Sequence, residues 1–205
     1  MALHTQEARG RLLYILADGL LREQVDEGTE GAKLRTVKDD EGNIKAEKWE
    51  LTYPGITGSI IGITTYDGEY GTNIQVVMKD ENDEEYMVSL KANSKYGEDF
   101  LHKLPKIDMT KEVSLKGYNF EADGRKMTGI TVSQDGEKLT NAFNYKDGDK
   151  WVTPIDGYPQ PDETKPPKNS EQWKIFFATR REWLLDYLKE QGIITEAEAK
   201  ADDDF

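Results

Sequence analysis

Aromatic and basic residues are interleaved along the stretches of this sequence that predict β-strands. Single-stranded nucleic acid needs flat rings on which bases stack and cations along its phosphate path, so this combination is typical of a surface that binds it. Stacking contributes about 1–3 kcal/mol per base, and two or three exposed rings would therefore suffice. A β-rich core also needs aromatic residues, and alternation alone does not separate core rings from surface rings. The candidate nucleic-acid-binding residues are Arg35, Lys48, Trp49, Tyr53, Tyr66, Tyr70, Lys91, Lys95, Tyr96, Arg125, Lys126, Phe143 and Tyr145.

The last four residues form a second candidate site, in which three acids precede a final aromatic residue: Asp202, Asp203, Asp204 and Phe205. An anionic tail that ends in an apolar ring suits a partner with a basic rim around a hydrophobic pocket. Such a tail could equally lie in the protein's own cationic groove and compete there with nucleic acid. It could also be a solvated acidic end without a partner.

Residues for catalysis or metal binding are sparse. The chain has no cysteine and two histidines, which excludes disulfides and thiolate metal sites, and no histidine cluster is expected. Glycine-rich phosphate loops and the HExxH and GxSxG motifs do not occur in it. The neighbouring carboxylates Glu84 and Glu85 lie in a polar turn, where a charge run is typical of a solvated surface. We therefore expect no enzyme, no cofactor and no metal site.

The formal net charge of the 205-residue chain is -13, which by itself argues against a polyanionic partner. The acids are unevenly distributed, however. Between residues 86 and 126 there are eight basic and six acidic side chains, while acids are concentrated at 80–85 and at the C-terminus. The total charge therefore does not exclude nucleic acid.

The sequence carries no sign of membrane insertion. No apolar run approaches the length of a membrane span, and residues 1–6 lack the charged-then-apolar plan of a signal peptide. The absence of cysteine agrees with a reducing compartment. We expect a cytoplasmic protein.

The stretch 55–90 predicts three consecutive antiparallel strands and organises the rest of the chain. Asp67-Gly68 is a hairpin signal, and 80–83 is a second polar corner. Ile74, Val76 and Met78 share one strand face, which needs a cover. Before this stretch, the sequence predicts a hairpin over 11–16 and 20–25 and two strands over 34–37 and 47–53.

The segment after this meander predicts a helix over 93–104, capped by Asn93 or Ser94 and stopped by Pro105. Three strands are predicted next, over 112–121, 126–134 and 137–146. A helix between the third and fourth strands of an antiparallel set is the plan of an OB-fold, which closes its sheet. We therefore expect a mainly β protein: an OB-fold-like antiparallel barrel with an additional N-terminal hairpin or arm, one helix between strands three and four, and a C-terminal amphipathic helix.

The predicted organisation has five parts. Residues 1–10 are expected to be disordered or left from cloning, 11–146 form the core with its arm, 147–169 form a linker or strap, 170–200 are helical, and 201–205 form the tail. Ser170 is the predicted N-cap of a helix over 170–190, and Thr195 with Glu198 predicts a capping box for a short last helix. The long helix carries an apolar stripe that could pack on its own barrel or form a dimer face, so a monomer or a homodimer is expected: Trp173, Phe176, Phe177, Leu184, Tyr187 and Leu188.

Four segments, taken in order, resemble a family of phage-encoded OB-fold single-stranded-DNA-binding proteins with an acidic, Phe-terminated C-terminal tail. They are 27–35 (EGTEGAKLR), 49–60 (WELTYPGITGSI), 89–105 (SLKANSKYGEDFLHKLP) and 118–136 with its GITVSQ strand. The resemblance implies coating of single-stranded DNA in phage replication, recombination and repair, in the cytoplasm of an infected host cell and without catalysis. It implies DNA-binding roles for Arg35, Trp49 and Tyr53 in the arm and for Lys91, Lys95 and Tyr96 beside the helix. It also implies that the tail recruits phage or host replication and recombination proteins.

Two alternatives remain on the sequence alone. The net charge and the acidic segment 80–85 would also suit an adaptor or DNA mimic that binds a host or phage protein and never contacts DNA. A magnesium-dependent nuclease would need acids brought together from separate strands.

Overall fold

Over the residues that the structure describes, the protein is mainly β with two α-helices, as the sequence predicts. A computed structural model describes residues 10–69, 71–162 and 164–196. The main sheet has eleven strands, of which ten follow the order β10-β9-β8-β5-β6-β7-β1-β2-β4-β3 while β13 pairs with β5, and β11 and β12 form a separate hairpin. The elements are β1 (Arg11–Ile15), β2 (Leu21–Val25), β3 (Lys33–Lys38), β4 (Ile44–Tyr53), β5 (Ile56–Gly68), β6 (Gly71–Lys79), β7 (Glu85–Lys91), α1 (Lys95–Lys103), a 3-10 turn (Leu104–Lys106), β8 (Glu112–Ala122), β9 (Arg125–Gln134), β10 (Glu137–Lys138), β11 (Tyr145–Asp147), β12 (Lys150–Val152), α2 (Ser170–Glu190) and β13 (Thr195–Glu196).

The central meander is confirmed as β5, β6 and β7, which pair in sequence order. Its inward residues build the core because alternate side chains of each strand point to the same side. Ile74, Val76 and Met78 are all fully buried. Helix α1 is also confirmed, and its cap is the Ser94 hydroxyl, which accepts a hydrogen bond from the Gly97 N–H.

The N-terminal hairpin extends the sheet beyond the meander. β1 and β2 form the predicted hairpin, and β1 also pairs in parallel with β7, Leu13 lying opposite Val88. β2 then pairs with β4, which pairs with β3. The predicted arm is therefore a continuation of the same sheet.

The predicted closure into a barrel is wrong, because the main sheet stays open. A closed barrel would need β9 to pair with the free edge of β7, but β1 already pairs with that edge. α1 covers β9 instead of letting it pair with β7: the Ile130 N–H donates to Asp99 Oδ2 (2.8 Å), and the Ile130 carbonyl accepts from Lys103 Nζ. A covered edge needs no strand partner, so the sheet is stable without closing.

The predicted strand over 137–146 is also wrong, since only Glu137–Lys138 pairs with β9. The chain leaves the sheet here because the Asn141 side chain accepts hydrogen bonds from the backbone N–H groups of Phe143 and Asn144. Phe143 then enters the core. The residues that follow form the β11–β12 hairpin, which begins within the predicted strand and continues into the segment 147–169 predicted as a strap.

Helix α2 has the predicted bounds, with one difference at its N-terminal end. Asn169 is the N-cap instead of Ser170, and its side chain accepts from the Gln172 N–H (2.9 Å). Leu184 and Leu188 are fully buried against the sheet core. The helix predicted to begin at Thr195 is wrong for the two described residues, because Thr195–Glu196 pairs in parallel with β5 as β13.

Candidate nucleic-acid interface

The main sheet carries polar, aromatic and basic side chains in rows on the side that points away from the core, here called the outer face. Directly paired residues of neighbouring strands lie on the same side of a sheet. The alternate residues Ile63, Val76, Val88 and Leu13 are all buried and define the core side. The outer rows are Tyr66–Asn73–Lys91 and Thr64–Gln75–Ser89–Tyr14–Arg22–Thr52.

The outer face continues onto the arm through β4 and β3. Lys33 lies opposite Glu50 and Arg35 lies opposite Lys48, and these pairs share the side of Gln24. The structure therefore brings Arg35, Lys48, Lys91 and Tyr66 to one side of one sheet. Tyr66 is 37% exposed and Lys91 is also exposed.

Arg35 is held by a buried carboxylate, which limits its use for phosphate. Glu50 is only 1% exposed, and both of its oxygens accept from Arg35 Nε at 2.8 Å. Arg22 Nη1 donates to Glu50 at 3.1 Å, and the Tyr14 hydroxyl donates to it as well. Burial raises the pKa of Glu50, but the hydrogen bonds from Arg35 and Tyr14 outweigh it and bring the pKa to about 2. This Glu50 cluster ties β1, β2 and β3 to β4.

Trp49 and Tyr53 lie on the opposite side of the arm from Arg35 and Lys48. Trp49 pairs with Val25 and with Leu34, and Tyr53 pairs with Leu21, a core residue. Adjacent residues of a strand point to opposite sides, so the predicted group in the arm does not form one surface.

The Tyr53 hydroxyl is also engaged within the protein. It accepts from Arg11 Nη2 and donates to Glu23 Oε2, each at 2.8 Å. The hydrogen bond from Arg11 is the main cause that lowers the pKa of Glu23, while burial is the main cause that raises the pKa of Tyr53. The Tyr53 hydroxyl therefore belongs to a hydrogen-bond network within the protein, and we no longer count Tyr53 as a candidate DNA-binding residue.

Of the residues predicted near the helix, Lys95 is exposed, with its Nζ 3.8 Å from Glu98 Oε2, and Tyr96 is buried. Lys95 begins α1 with an exposed side chain, and its Nζ lies 5.7 Å from the centre of the Phe177 ring. Tyr96 is buried, and its hydroxyl donates to the Ala17 carbonyl (3.3 Å). The prediction that Tyr96 stacks on a base is wrong because its ring is part of the core.

Arg125 and Lys126 are exposed at the end of the β8–β9 hairpin, away from the paired rows. The hairpin contacts the turn between β1 and β2, because the Asn119 side chain donates to the Ala17 carbonyl. Phe120 and Met127 lie opposite each other near its tip and are both exposed. Phe120, Met127 and Arg125 share one side of the hairpin and form a separate apolar and basic patch, while Lys126 lies on the other side, opposite Glu121.

Phe143 and Tyr145 have different environments. Phe143 is 0% exposed and its ring packs on Tyr158 with 5.3 Å between ring centres, so its predicted contact with a base is wrong. Tyr145 is half-buried, and Lys106 Nζ lies 5.1 Å from its ring centre. Tyr70 and the tail residues 202–205 lie outside the described residues.

Three residues with suitable chemistry were missed by sequence reasoning. Tyr14 and Arg22 lie in the central row of the outer face, where the polar groups of both donate to Glu50, and Trp151 is 66% exposed on β12. Tyr14 and Arg22 lie among leucines in the sequence and were therefore not selected. Their position on the outer face follows from the pairing of β1 with β7. Trp151 could have been found from the sequence, because a tryptophan next to a lysine and close to a turn is the same combination of ring and cation that selected the other candidates.

Comparison of the chain with protein-family models, with curated proteins and with solved structures finds no match. Within residues 10–69, 71–162 and 164–196, no helix is long and apolar enough to cross a membrane. The same described residues contain no group of three or more His, Cys, Asp or Glu side chains arranged to hold a metal ion.

Proposed function

We propose that the protein binds single-stranded DNA without sequence preference, and that the outer face is its main binding surface. The observation that carries the proposal is the paired row Tyr66–Asn73–Lys91, which lies beside Gln75, Ser89 and Tyr14 of the next row. Rings, amides and cations follow each other there across neighbouring strands. A single strand needs this alternation of stacking surface and positive charge.

The order of elements supports an OB-like core as the scaffold of this surface. Three meander strands, a helix and a two-stranded hairpin follow one another as β5, β6, β7, α1, β8 and β9, and β5 pairs with β8. In OB-folds the face of strands 2 and 3 binds oligonucleotides. Those strands correspond here to β6 and β7, which carry Asn73, Gln75, Ser89 and Lys91.

The distribution of charge also supports the proposal despite the net charge of -13. The acidic corner between β6 and β7 is held by Asp80, whose side chain accepts from the Asn82 and Glu84 N–H groups. Glu85 pairs with Lys79 at that end of the strands, and Lys91 pairs with Asn73 at the other. Six residues of strand separate the two ends, about 20 Å. The strongest acidic corner is thus well away from Lys91.

Glu50 shapes the proposed surface by neutralising part of its charge. Arg22 and Arg35 both face its carboxylate, so neither offers a full positive charge to phosphate. We assign phosphate contacts to Lys48 and Lys91, whose positions in the paired strands place them on the outer face. Base stacking then supplies a larger share of affinity than in a strongly basic protein.

Titration with fluorescently labelled oligo(dT) tests the proposal. We expect binding at low salt and a linear fall of log K with log salt, with a shallow slope because few phosphates are neutralised. A chain that ends at residue 200 should bind at least as well, since it loses three acids. Absence of binding by both forms at low salt would contradict the proposal and favour an adaptor that binds proteins.

Recruitment of replication or recombination proteins through residues 202–205 is part of the same proposal. It has support only from the sequence pattern of three acids before Phe205. Pull-down with the full chain and with the chain ending at residue 200 distinguishes the tail from the DNA-binding surface.

A further inference from the structure

The β11–β12 hairpin, residues 145–152 and here called the finger, stands apart from the main sheet. It forms its own two-stranded sheet. The chain enters it after Phe143 and returns to the body before Tyr158, and these two buried rings stack on each other. An isolated two-stranded hairpin is marginally stable in water, so this stacked pair anchors the finger at its base.

One side of the finger presents a tryptophan and a lysine together. Lys146 lies directly opposite Trp151, and Lys146 Nζ is 5.7 Å from the centre of the indole ring. Trp151 is 66% exposed, the largest fraction among the large hydrophobic side chains of the described residues. A buried tryptophan ring contributes substantially to the stability of a fold, whereas the Trp151 ring is mostly in contact with solvent. Its position contributes little to the protein's own core.

The other side of the finger is braced against the body. Tyr145 lies on that side, and Lys106 Nζ is 5.1 Å from its ring centre. Lys106 also donates to the Thr140 hydroxyl (2.7 Å), which fixes the lysine next to the ring. Because Tyr145 and Trp151 belong to opposite sides of the hairpin, this brace turns the indole outward.

A series of contacts connects the base of the finger with the Lys91 end of the outer face. Tyr158 packs beside Arg180, whose guanidinium centre lies 4.9 Å from the ring centre of Phe177. Lys95 approaches the same Phe177 ring and begins α1, just after Lys91. From Lys95 to Lys106 the helix and the following turn span about 16 Å. A stacked single strand would cross that distance in about five nucleotides.

We propose that the finger is a second contact site for single-stranded DNA, with Trp151 stacking on a base and Lys146 meeting the adjacent phosphate. A ring beside a cation matches an unpaired nucleotide, which offers both a flat base and a negative charge. This inference rests on the proposed function, because it extends the same ligand from the outer face to the finger. The finger adds affinity only for strands long enough to reach both sites.

Measurements on Trp151→Ala with a length series of oligo(dT) test the inference. We expect the variant to bind strands of about 20 nucleotides at least about fivefold more weakly, and strands of about 6 nucleotides with unchanged affinity. Trp151→Phe keeps a ring and should keep most of the affinity, and DNA should quench its remaining tryptophan fluorescence less than that of the wild type, because three of the four tryptophans are retained. Since Trp151 is mostly exposed, the melting temperature of both variants should equal that of the wild type.

Two controls separate a local contact from a general effect. Met109→Ala removes another exposed apolar side chain and should leave affinity unchanged. Lys146→Gln should weaken binding of long strands more than Lys165→Gln, which removes the same charge from an exposed position in the strap. Wild-type affinity of Trp151→Ala for every strand length would overturn the inference while leaving the proposed function standing. Failure of the wild type to bind any strand would overturn both.

Discussion

At the scale of single residues, hydrogen bonding and burial decide which candidate side chains can meet a ligand. Arg35 has a suitable charge, but Glu50 occupies its guanidinium. Tyr96 and Phe143 have suitable rings, but both are buried. Lys48 and Trp49 are neighbours in one strand and therefore point to opposite sides, a separation that the sequence alone already predicts.

Replacing Glu50 should cost stability because two arginines would lose their buried partner. We expect Glu50→Gln to lower the free energy of unfolding by about 2–3 kcal/mol near pH 7, less than for a fully buried pair since both arginines keep some contact with water. Urea denaturation measures the change. Glu85→Gln, which removes an exposed carboxylate that pairs with Lys79 at 3.4 Å, is the matched control and should change stability by less than about 0.5 kcal/mol. Equal stability of the two variants would contradict a structural role for the Glu50 cluster.

The same cluster has a defined pH dependence. The pKa of Glu50 falls from 4.5 to about 2 in the folded protein, so the folded state binds its proton less readily than the unfolded state. Its contribution is fully present above about pH 5 and is lost as the pH falls toward about 2. The difference in free energy of unfolding between the wild type and Glu50→Gln should therefore decrease as the pH is lowered from about 5 to about 2. A difference that is constant from pH 6 to pH 3 would contradict this assignment.

At the scale of secondary-structure elements, the sequence predicted the features that depend on neighbouring residues but not the pairing of strands that are far apart in the chain. The turn at Asp18-Gly19, the cap at Ser94 and the apolar period of α2 depend on neighbouring residues and were readable. The parallel pairing of β1 with β7 joins Leu13 to Val88, far apart in the chain, and no local pattern specifies it. The cover of β9 by Asp99 and Lys103 is equally remote from any strand signal. Both determine that the sheet stays open, and the first creates the central row of the outer face.

Close packing at Gly117 holds the β1–β2 hairpin against β8. A Cβ at Gly117 would overlap the Gly19 carbonyl oxygen and the Ile15 side chain, so Gly117→Ala should push the hairpin away. We expect a loss of about 1–3 kcal/mol in the free energy of unfolding. Thermal and urea denaturation measure it.

Gly62→Ala is the control for that substitution. Gly62 lies on β5, opposite Val77, and a Cβ there meets no atom within 4 Å. This variant should be neutral or slightly more stable than the wild type, because alanine is less flexible than glycine in the unfolded chain. If Gly117→Ala is as stable as Gly62→Ala, the hairpin does not pack on β8 as described.

At the scale of the whole molecule, a protein of net charge -13 would repel DNA if its charges were spread evenly. The acidic β6–β7 corner and the row through Lys91 lie at opposite ends of the same strands, and this separation makes a DNA-binding face possible. The sequence predicts the uneven charge but not the face, because the face depends on the register of strands that are remote in the chain. The finger is a further example, since its position depends on Phe143 and Tyr158, which stack at its base, and on the contact between Lys106 and Tyr145.

The most direct test of the central claim is the affinity of Gly62→Glu for oligo(dT), compared with Gly62→Ala. Gly62 lies on the outer face, where its position opposite Val77 is open, so a glutamate adds negative charge to the proposed surface without disturbing the core. We expect Gly62→Glu to bind at least about fivefold more weakly at low salt, with a smaller difference at high salt where charges are screened. Gly62→Ala should bind as the wild type does. Equal affinity of the two variants at low salt would contradict the assignment of DNA binding to the outer face.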